Sequence, residues 1–387
     1  MKKLEQRVPN LRFKGFTDDW EQRKLGDLFV YNRPDKYMVQ DTNYIDSGTP
    51  VLTANKSFVL GYTNENHTYN KLPAIIFDDF TLENKFVKFP FMVKSSAIKI
   101  LNSRNDQPMM FMYQLLQHSR FVHEGHSRHY ISIVQRKDVM VPDYVEEQKK
   151  IATLFSRIQN IITLQQRKLA LLKQLKKGLL QKMFADKDSK QPVLRFKGFH
   201  DDWEQHKLGE IITYYNGKSH EEQFRNAETQ NFELVTLKSI DGNGNLCSSE
   251  KYIDSTNNTL SKNDLIMVLS EQNTGLVGMT TLIPRDNYYV LNQRVALLKL
   301  HKNNSPFFLT DAINQHQIFF ERMSAGTKVQ NISKSNVENF NLYIPNYSEQ
   351  KEVGHIIALC QNIITLQQQK LAKYQSIKKS LLQQMFI

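Results

Sequence analysis

From Ile151 onward the apolar residues fall at Leu154, Phe155, Ile158, Ile161, Ile162, Leu169, Leu172, Leu175, Leu179 and Met183. This spacing of three and four, held for about five heptads, predicts a long amphipathic helix with a coiled-coil seam. The same pattern returns at Val353, Ile356, Ile357, Cys360, Ile363, Ile364, Leu371, Tyr374, Ile377, Leu381 and Met385. Each run follows a proline, Pro142 or Pro345, and opens on acidic residues, Glu146 and Glu147 or Glu349, as a helix N-terminus favours. At about 1.5 Å per residue, the span from Glu147 to Phe184 extends roughly 55 Å. Elsewhere the pattern shortens. Residues 74–77, 97–101, 234–237, 265–269 and 295–300 are brief, apolar, rich in β-branched residues and bounded by Asn, Asp, Gly or Pro, which predicts strands. The loops between them are dense in Asn, Thr, Ser, Lys and Tyr. Two compact α+β domains with irregular or antiparallel sheets are expected, each followed by a long helix.

The pattern repeats in letters as well as in hydropathy. LRFKGFTDDWEQRKLGDL from Leu11 returns as LRFKGFHDDWEQHKLGEI from Leu194, an offset of 194 − 11 = 183. QNIITLQQRKLA from Gln159 returns as QNIITLQQQKLA from Gln361, an offset of 361 − 159 = 202. The intervening stretches, about 29–143 and 212–346, hardly resemble each other. A repeated frame with varied contents points to two different readers on one pseudo-twofold scaffold. Such an axis across a helix pair requires the helices to be antiparallel. Gln165 lies in the seam between Ile158 and Leu172, and Gln367 lies between Cys360 and Tyr374. Both are near the middle of their segments, so they are expected to face each other and fix the register.

Charge narrows the partner. Among 387 residues, Lys+Arg number 51 against Asp+Glu 39, a formal charge of +12, so a polyanion is expected, nucleic acid ahead of an anionic membrane. Cys247 and Cys360 are too few for a disulfide framework and suit a reducing compartment. MKKLEQRVPNLRF has no apolar stretch of the signal-peptide kind, and no run approaches a membrane span, so a soluble cytoplasmic protein is expected.

Several chemistries lack their residues. No two prolines are adjacent, which removes the Asn/Asp-Pro-Pro-aromatic motif of amino-group methyltransferases. Gly217-Lys218-Ser219 imitates the end of a phosphate-binding loop, but Ile212 stands where its first glycine belongs. Pro142-Asp143 with Glu147-Gln148-Lys149 imitates a nuclease pair, yet these carboxylates crowd one helix start instead of coming from two strands. His123, His126 and His129 lack a nearby cysteine and share their segment with Arg128, so a cationic loop facing nucleic acid is read there instead of a metal site.

The repeated (L)RF.GF..DWE...LG at each beginning, the Glu-Gln at each helix start, and LLQKMF at 179–184 with LLQQMF at 381–386 together resemble the specificity subunit of type I restriction-modification systems. The resemblance covers Leu11 to Phe386, and Phe86–Leu101 with Val290–Ala296 look like core strands of that family's recognition domains. It implies target recognition domains at 1–145 and 194–346, conserved spacer helices at 146–185 and 347–387, and a linker at 186–193. It further implies a non-catalytic DNA-binding subunit whose domains each read one half of a split, asymmetric target. Two methyltransferase subunits using S-adenosylmethionine would dock on it, joined in the full complex by two restriction subunits that need ATP and Mg. No cofactor or metal is expected in this chain.

Base readers should be polar loop residues, because phosphate contacts position a protein on DNA while base-edge contacts choose the sequence. The candidates are Thr53, Asn55, Lys56, Arg128 and His129 in the first domain, and Thr236, Lys238, Gln272, Asn273, Lys328 and Gln330 in the second. The other readings left by the residues are a free-standing nucleic-acid-binding regulator and a coiled-coil scaffold.

Overall fold

The computed structural model describes residues 7–55, 57–122, 128–185, 189–225, 227–271, 275–326 and 329–387. The chain forms two compact units, residues 1–167 with 368–387, and residues 168–367.

In the first unit, β1 (Glu21–Lys24) pairs antiparallel with β9 (Asp138–Val141). A four-stranded antiparallel sheet runs in the order β2 (Phe29–Asn32), β8 (Ile98–Ser103), β5 (Ala74–Asp78), β6 (Asn84–Val87). A smaller sheet orders β4 (Val59–Thr63), β3 (Thr49–Leu52) and β7 (Met92–Val93), the last pair parallel. Strand β5 reads as an unbroken apolar run because both of its faces are covered. Ile75 and Phe77 enter one core cluster, and Ala74 and Ile76 enter the other, as alternation along a strand requires. Helix α1 (Leu25–Leu28) links β1 to β2, and α2 (Met109–His118) follows β8.

The second unit repeats this plan. Strand β10 (Glu204–Lys207) pairs with β20 (Asn341–Ile344), and a four-stranded sheet orders β11 (Ile212–Asn216), β18 (Val295–Leu300), β14 (Leu265–Val268) and β16 (Thr280–Leu282). A three-stranded sheet orders β13 (Tyr252–Ile253), β12 (Phe232–Val235) and β17 (Tyr289–Leu291), and β15 (Ser270–Glu271) pairs with β19 (Gln330–Asn331). Its helices are α4 (Leu208–Ile211), α5 (Glu221–Arg225), α6 (Pro306–Asn314), α7 (Gln317–Met323) and α8 (Lys334–Glu338).

The two long helices expected from the heptads are α3 (Val145–Met183) and α9 (Tyr347–Met385), 39 residues each. Both are shared between the units, which divide near the middle of each helix and not at its ends. The physical reason is that each half-helix buries its apolar stripe on the nearer domain. Within the first unit, Phe155 of α3 packs edge-on against Phe386 at 6.0 Å, and Lys378 of α9 donates to Gln159 at 2.9 Å. Within the second, Met183 shares a core with Val353, and Lys176 donates to Gln361 at 3.0 Å. Low positions of one helix meet high positions of the other in both units, so the helices run antiparallel.

The repeated letters have one physical role. Arg12 grips Glu147 through two hydrogen bonds of 2.7 and 2.8 Å, and Arg195 grips Glu349 through two of the same lengths. Both carboxylates are fully buried at the start of a long helix. The next glutamines, Gln148 and Gln350, donate to the carbonyls of Pro142 and Pro345, each at 2.9 Å. The backbone amide of Leu11 donates to Gln384 at 2.9 Å in the first unit, and that of Leu194 donates to Lys182 at 2.7 Å in the second. Buried Trp20 meets Phe386 edge-on, and buried Trp203 meets Phe184 in the same way. Each opening segment is therefore bound to the start of its own copy's helix and to the end of the other copy's. The shared Leu-Gly places a glycine where the chain is crossed closely: a Cβ on Gly26 would meet Gln135 at 3.0 Å, and one on Gly209 would meet Glu338 at 2.9 Å.

Candidate nucleic-acid interface

In the first domain the structure gathers two remote sets of expected readers around one turn. Thr53, largely buried, donates its amide to the Phe58 carbonyl at 3.0 Å and starts the loop after β3. Exposed Asn55 accepts from the Thr81 hydroxyl at 3.2 Å, on the turn that follows β5. Asp79 of that turn receives the Tyr130 amide at 2.7 Å, which draws in the segment carrying Arg128 and His129. Arg128 is exposed. His129 departs from the expectation of a surface reader. It is fully buried, its amide donates to the Asp79 carbonyl at 3.0 Å, and its ring Nδ1 lies 3.0 Å from that same oxygen. The second domain shows why. The Ile332 amide donates to Leu269 at 3.0 Å in the equivalent place, so His129 occupies a core position that an apolar residue fills in the sister domain. Lys56, His123 and His126 lie outside the described residues.

In the second domain, Gln330 pairs with Glu271 where β19 meets β15. Its amide nitrogen donates to Gly326 at 2.7 Å and its oxygen accepts from Ser324 at 3.2 Å, so this side chain holds its own loop. Buried Glu271 accepts the amides of Leu276 and Val277, and two further candidates follow it in the chain. Those two, Gln272 and Asn273, together with Lys328, lie outside the described residues. Thr236 and Lys238 lie in the turn after β12, where the Thr236 amide donates to Ser239 at 2.9 Å and Lys238 is exposed.

The motif imitations resolve structurally. Glu147 is taken up by Arg12, and Gly217 is required because a Cβ there would meet the Asn292 carbonyl oxygen at 1.9 Å. Among the described residues no helix is long and apolar enough to cross a membrane.

Sequence reasoning missed Arg33, Lys99 and Asp79. Lys99 and Asp79 form an ion pair at 3.2 Å inside the first domain, with the Lys99 ammonium 5.5 Å from the Tyr31 ring. Lys99 sits within an apolar strand pattern, where a single cation gives no periodic signal.

Two unlike α+β domains on one duplicated frame of clamped antiparallel helices define a modular recognition protein. Residues 17–174 and 200–375 each match the type I restriction modification DNA specificity domain, and the chain belongs to that family. It is similar to a type I restriction enzyme specificity subunit of Escherichia coli, 29% identical over 351 residues that cover 86% of this chain and 84% of that one. A type I specificity subunit of Methanocaldococcus jannaschii is 22% identical, with 94% and 91% covered. The fold is also that of a type I restriction-modification S subunit from M. genitalium, with a TM-score of 0.74 at 15% identity over 98% of this chain and 99% of that one.

Proposed function

We propose that this chain is the reading part of a type I restriction-modification assembly in the cytoplasm, each domain contacting one half of a bipartite DNA target while partner subunits do the chemistry. The observation that carries the reading is the reuse of one clamp, Arg12–Glu147 and Arg195–Glu349, under two domains whose loops differ. The frame is held constant and the contacting surface varies. The formal charge of +12 supplies the sequence-independent part of binding.

The helices supply the docking surface. Leu164, Leu171 and Leu175 are exposed on α3 at intervals of seven and four, and Leu359, Ile363 and Leu366 are exposed on α9 at intervals of four and three. Each set forms one stripe on its helix. These stripes are separate from the residues that the helices bury, and they fit the apolar helices of two methyltransferase subunits, which would bring S-adenosylmethionine. Restriction subunits, with ATP and Mg, complete the assembly. A free-standing regulator would leave both stripes in water. Affinity purification from the native host, read by mass spectrometry, is expected to recover a methyltransferase in stoichiometric amount; recovery of the chain alone, bound to DNA, would favour the regulator.

A further inference from the structure

A cleft opens above Lys99 in the first domain. It holds about 330 Å³ and is lined by Tyr31, Arg33, Asp35, Ser96, Lys99 and Arg128, among others. Beneath it lies the Lys99–Asp79 pair, both side chains almost wholly buried. Lys99 also donates to the Ser96 carbonyl at 3.1 Å, and both carboxylate oxygens of Asp79 are occupied, one by Lys99 and one by the Tyr130 amide. Arg33 and Arg128 are exposed, and no hydrogen bond or ion pair within the described residues engages either guanidinium.

A buried ion pair is costly to desolvate and is poor evidence of a stabilising role. The sister domain shows that this fold does without it. Strand register sets Tyr31 opposite Leu101 and Phe77 opposite Lys99, and it sets Tyr214 opposite Leu298 and Met267 opposite Ala296. Ala296 therefore stands where Lys99 is, Asn216 stands where Arg33 is, and Leu269 stands where Asp79 is. The Leu269 amide donates to the Arg294 carbonyl as the Asp79 amide donates to that of Ala97, each at 2.9 Å. Arg33 and the buried Lys99–Asp79 pair occur in one domain and are replaced by Asn, Ala and Leu in the other, with the same strand order.

Resting on the DNA-reading proposed above, we infer that this cleft is an anion hook for the first half-site, in which Arg33 and Arg128 clamp one backbone phosphate and Lys99 supplies a fixed positive floor. Guanidinium forks match the paired oxygens of a phosphate. Arg33, Arg128 and Lys99 outweigh Asp35 and Asp79, and the charge of Asp79 is offset by Lys99 at 3.2 Å. The paired acceptors of a guanine edge have the same donor-binding chemistry, and the test separates the two.

The full-length chain is titrated with a mixed-sequence duplex of about 30 base pairs across a salt series. In R33Q/R128Q the slope of log affinity against log salt is expected to shrink by about 0.9, one phosphate's worth, with binding roughly tenfold weaker at low salt. Unchanged melting of the variant shows that it folds. N216A, at the matching position of the second domain, should leave the slope alone. Absence of duplex binding by the unaltered chain would overturn the hook together with the DNA-reading function. Binding by the unaltered chain with an unmoved slope in R33Q/R128Q, or an equal loss in N216A, would overturn the hook alone. Mapping of methylated sites in host DNA carrying the variant should return the same consensus at lower occupancy; relaxation at one base of the first half-site would overturn the phosphate assignment in favour of a base edge.

Discussion

Arg12 and Arg195 carry more of this fold than any expected DNA contact, since each satisfies a carboxylate with no exposure to water. The hydrogen bonds to Glu147 and Glu349, helped by the carboxylate charges, push both arginines above their usual pKa, while their own burial opposes this. Removing one arginine strands a buried charge, so Arg12→Ala or Arg195→Ala should cost about 3 kcal/mol or more in denaturant unfolding. The pair variant R12M/E147M should recover most of that loss, and a cost for R12A below about 1 kcal/mol would show that the clamp is solvated. A second residue-scale effect lies at Asp311 on α6. Burial lifts its carboxyl to about 6 against the opposing pull of Lys176, whose ammonium is 3.8 Å away. The folded protein thus holds this proton more tightly than the unfolded chain does. The resulting stability is present in full below the ordinary carboxylate range and is lost as pH rises through about 6. In Asp311→Asn this decline should disappear between pH of about 4 and 6, as read by unfolding at stepped pH; a decline of undiminished size would place its origin in another group.

At the scale of elements, α3 and α9 each carry two apolar faces, one buried within a unit and one open. Leu164 and Leu366, at matching positions of the repeat, are 63% and 64% exposed. L164K/L366K should therefore leave melting within about 1 kcal/mol of the parent while abolishing capture of the methyltransferase; retention of the partner would move the docking surface elsewhere. The reciprocal bonds Lys378–Gln159 and Lys176–Gln361 connect residues of opposite copies, and each arises from letters that the duplication repeated. The long helices were legible because a spacing of three and four persists over so many turns. Helix α2 was not, for it buries Met109, Met110, Phe111 and Met112 in succession and offers no polar face from which a period could be read.

On the scale of the whole molecule, the proposed reading is modular. Exchanging about 212–346 for another recognition domain should change one half of the target and leave the other intact, as read by mapping methylated sites in host DNA; altered bases in both halves would defeat modular reading. Gln165 is partly buried and Gln367 is 6% exposed. On the proposal that they fix helix register, replacing both by leucine should keep or raise thermal stability and loosen the spacer between half-sites. Adding one heptad to both helices should lengthen that spacer with both half-sites unchanged.

What the amino-acid order determined by itself was everything periodic or repeated: two copies, two long helices, the strands with apolar runs, and the family. Local spacing and identity carry such information directly. Only tertiary structure decided the use of individual polar residues. His129 reads as a cationic loop residue but fills the place of Ile332, because the Asp79 carbonyl takes its amide and draws the ring inward. Gln330 reads as a base reader but spends its amide on Gly326 and Ser324. Arg33 and Lys99 meet Arg128 at one cleft only because neighbouring strand ends and a distant loop fold together there. Burial and partnership depend on residues tens of positions away, and a polar side chain announces its chemistry in the sequence without announcing which neighbour will claim it.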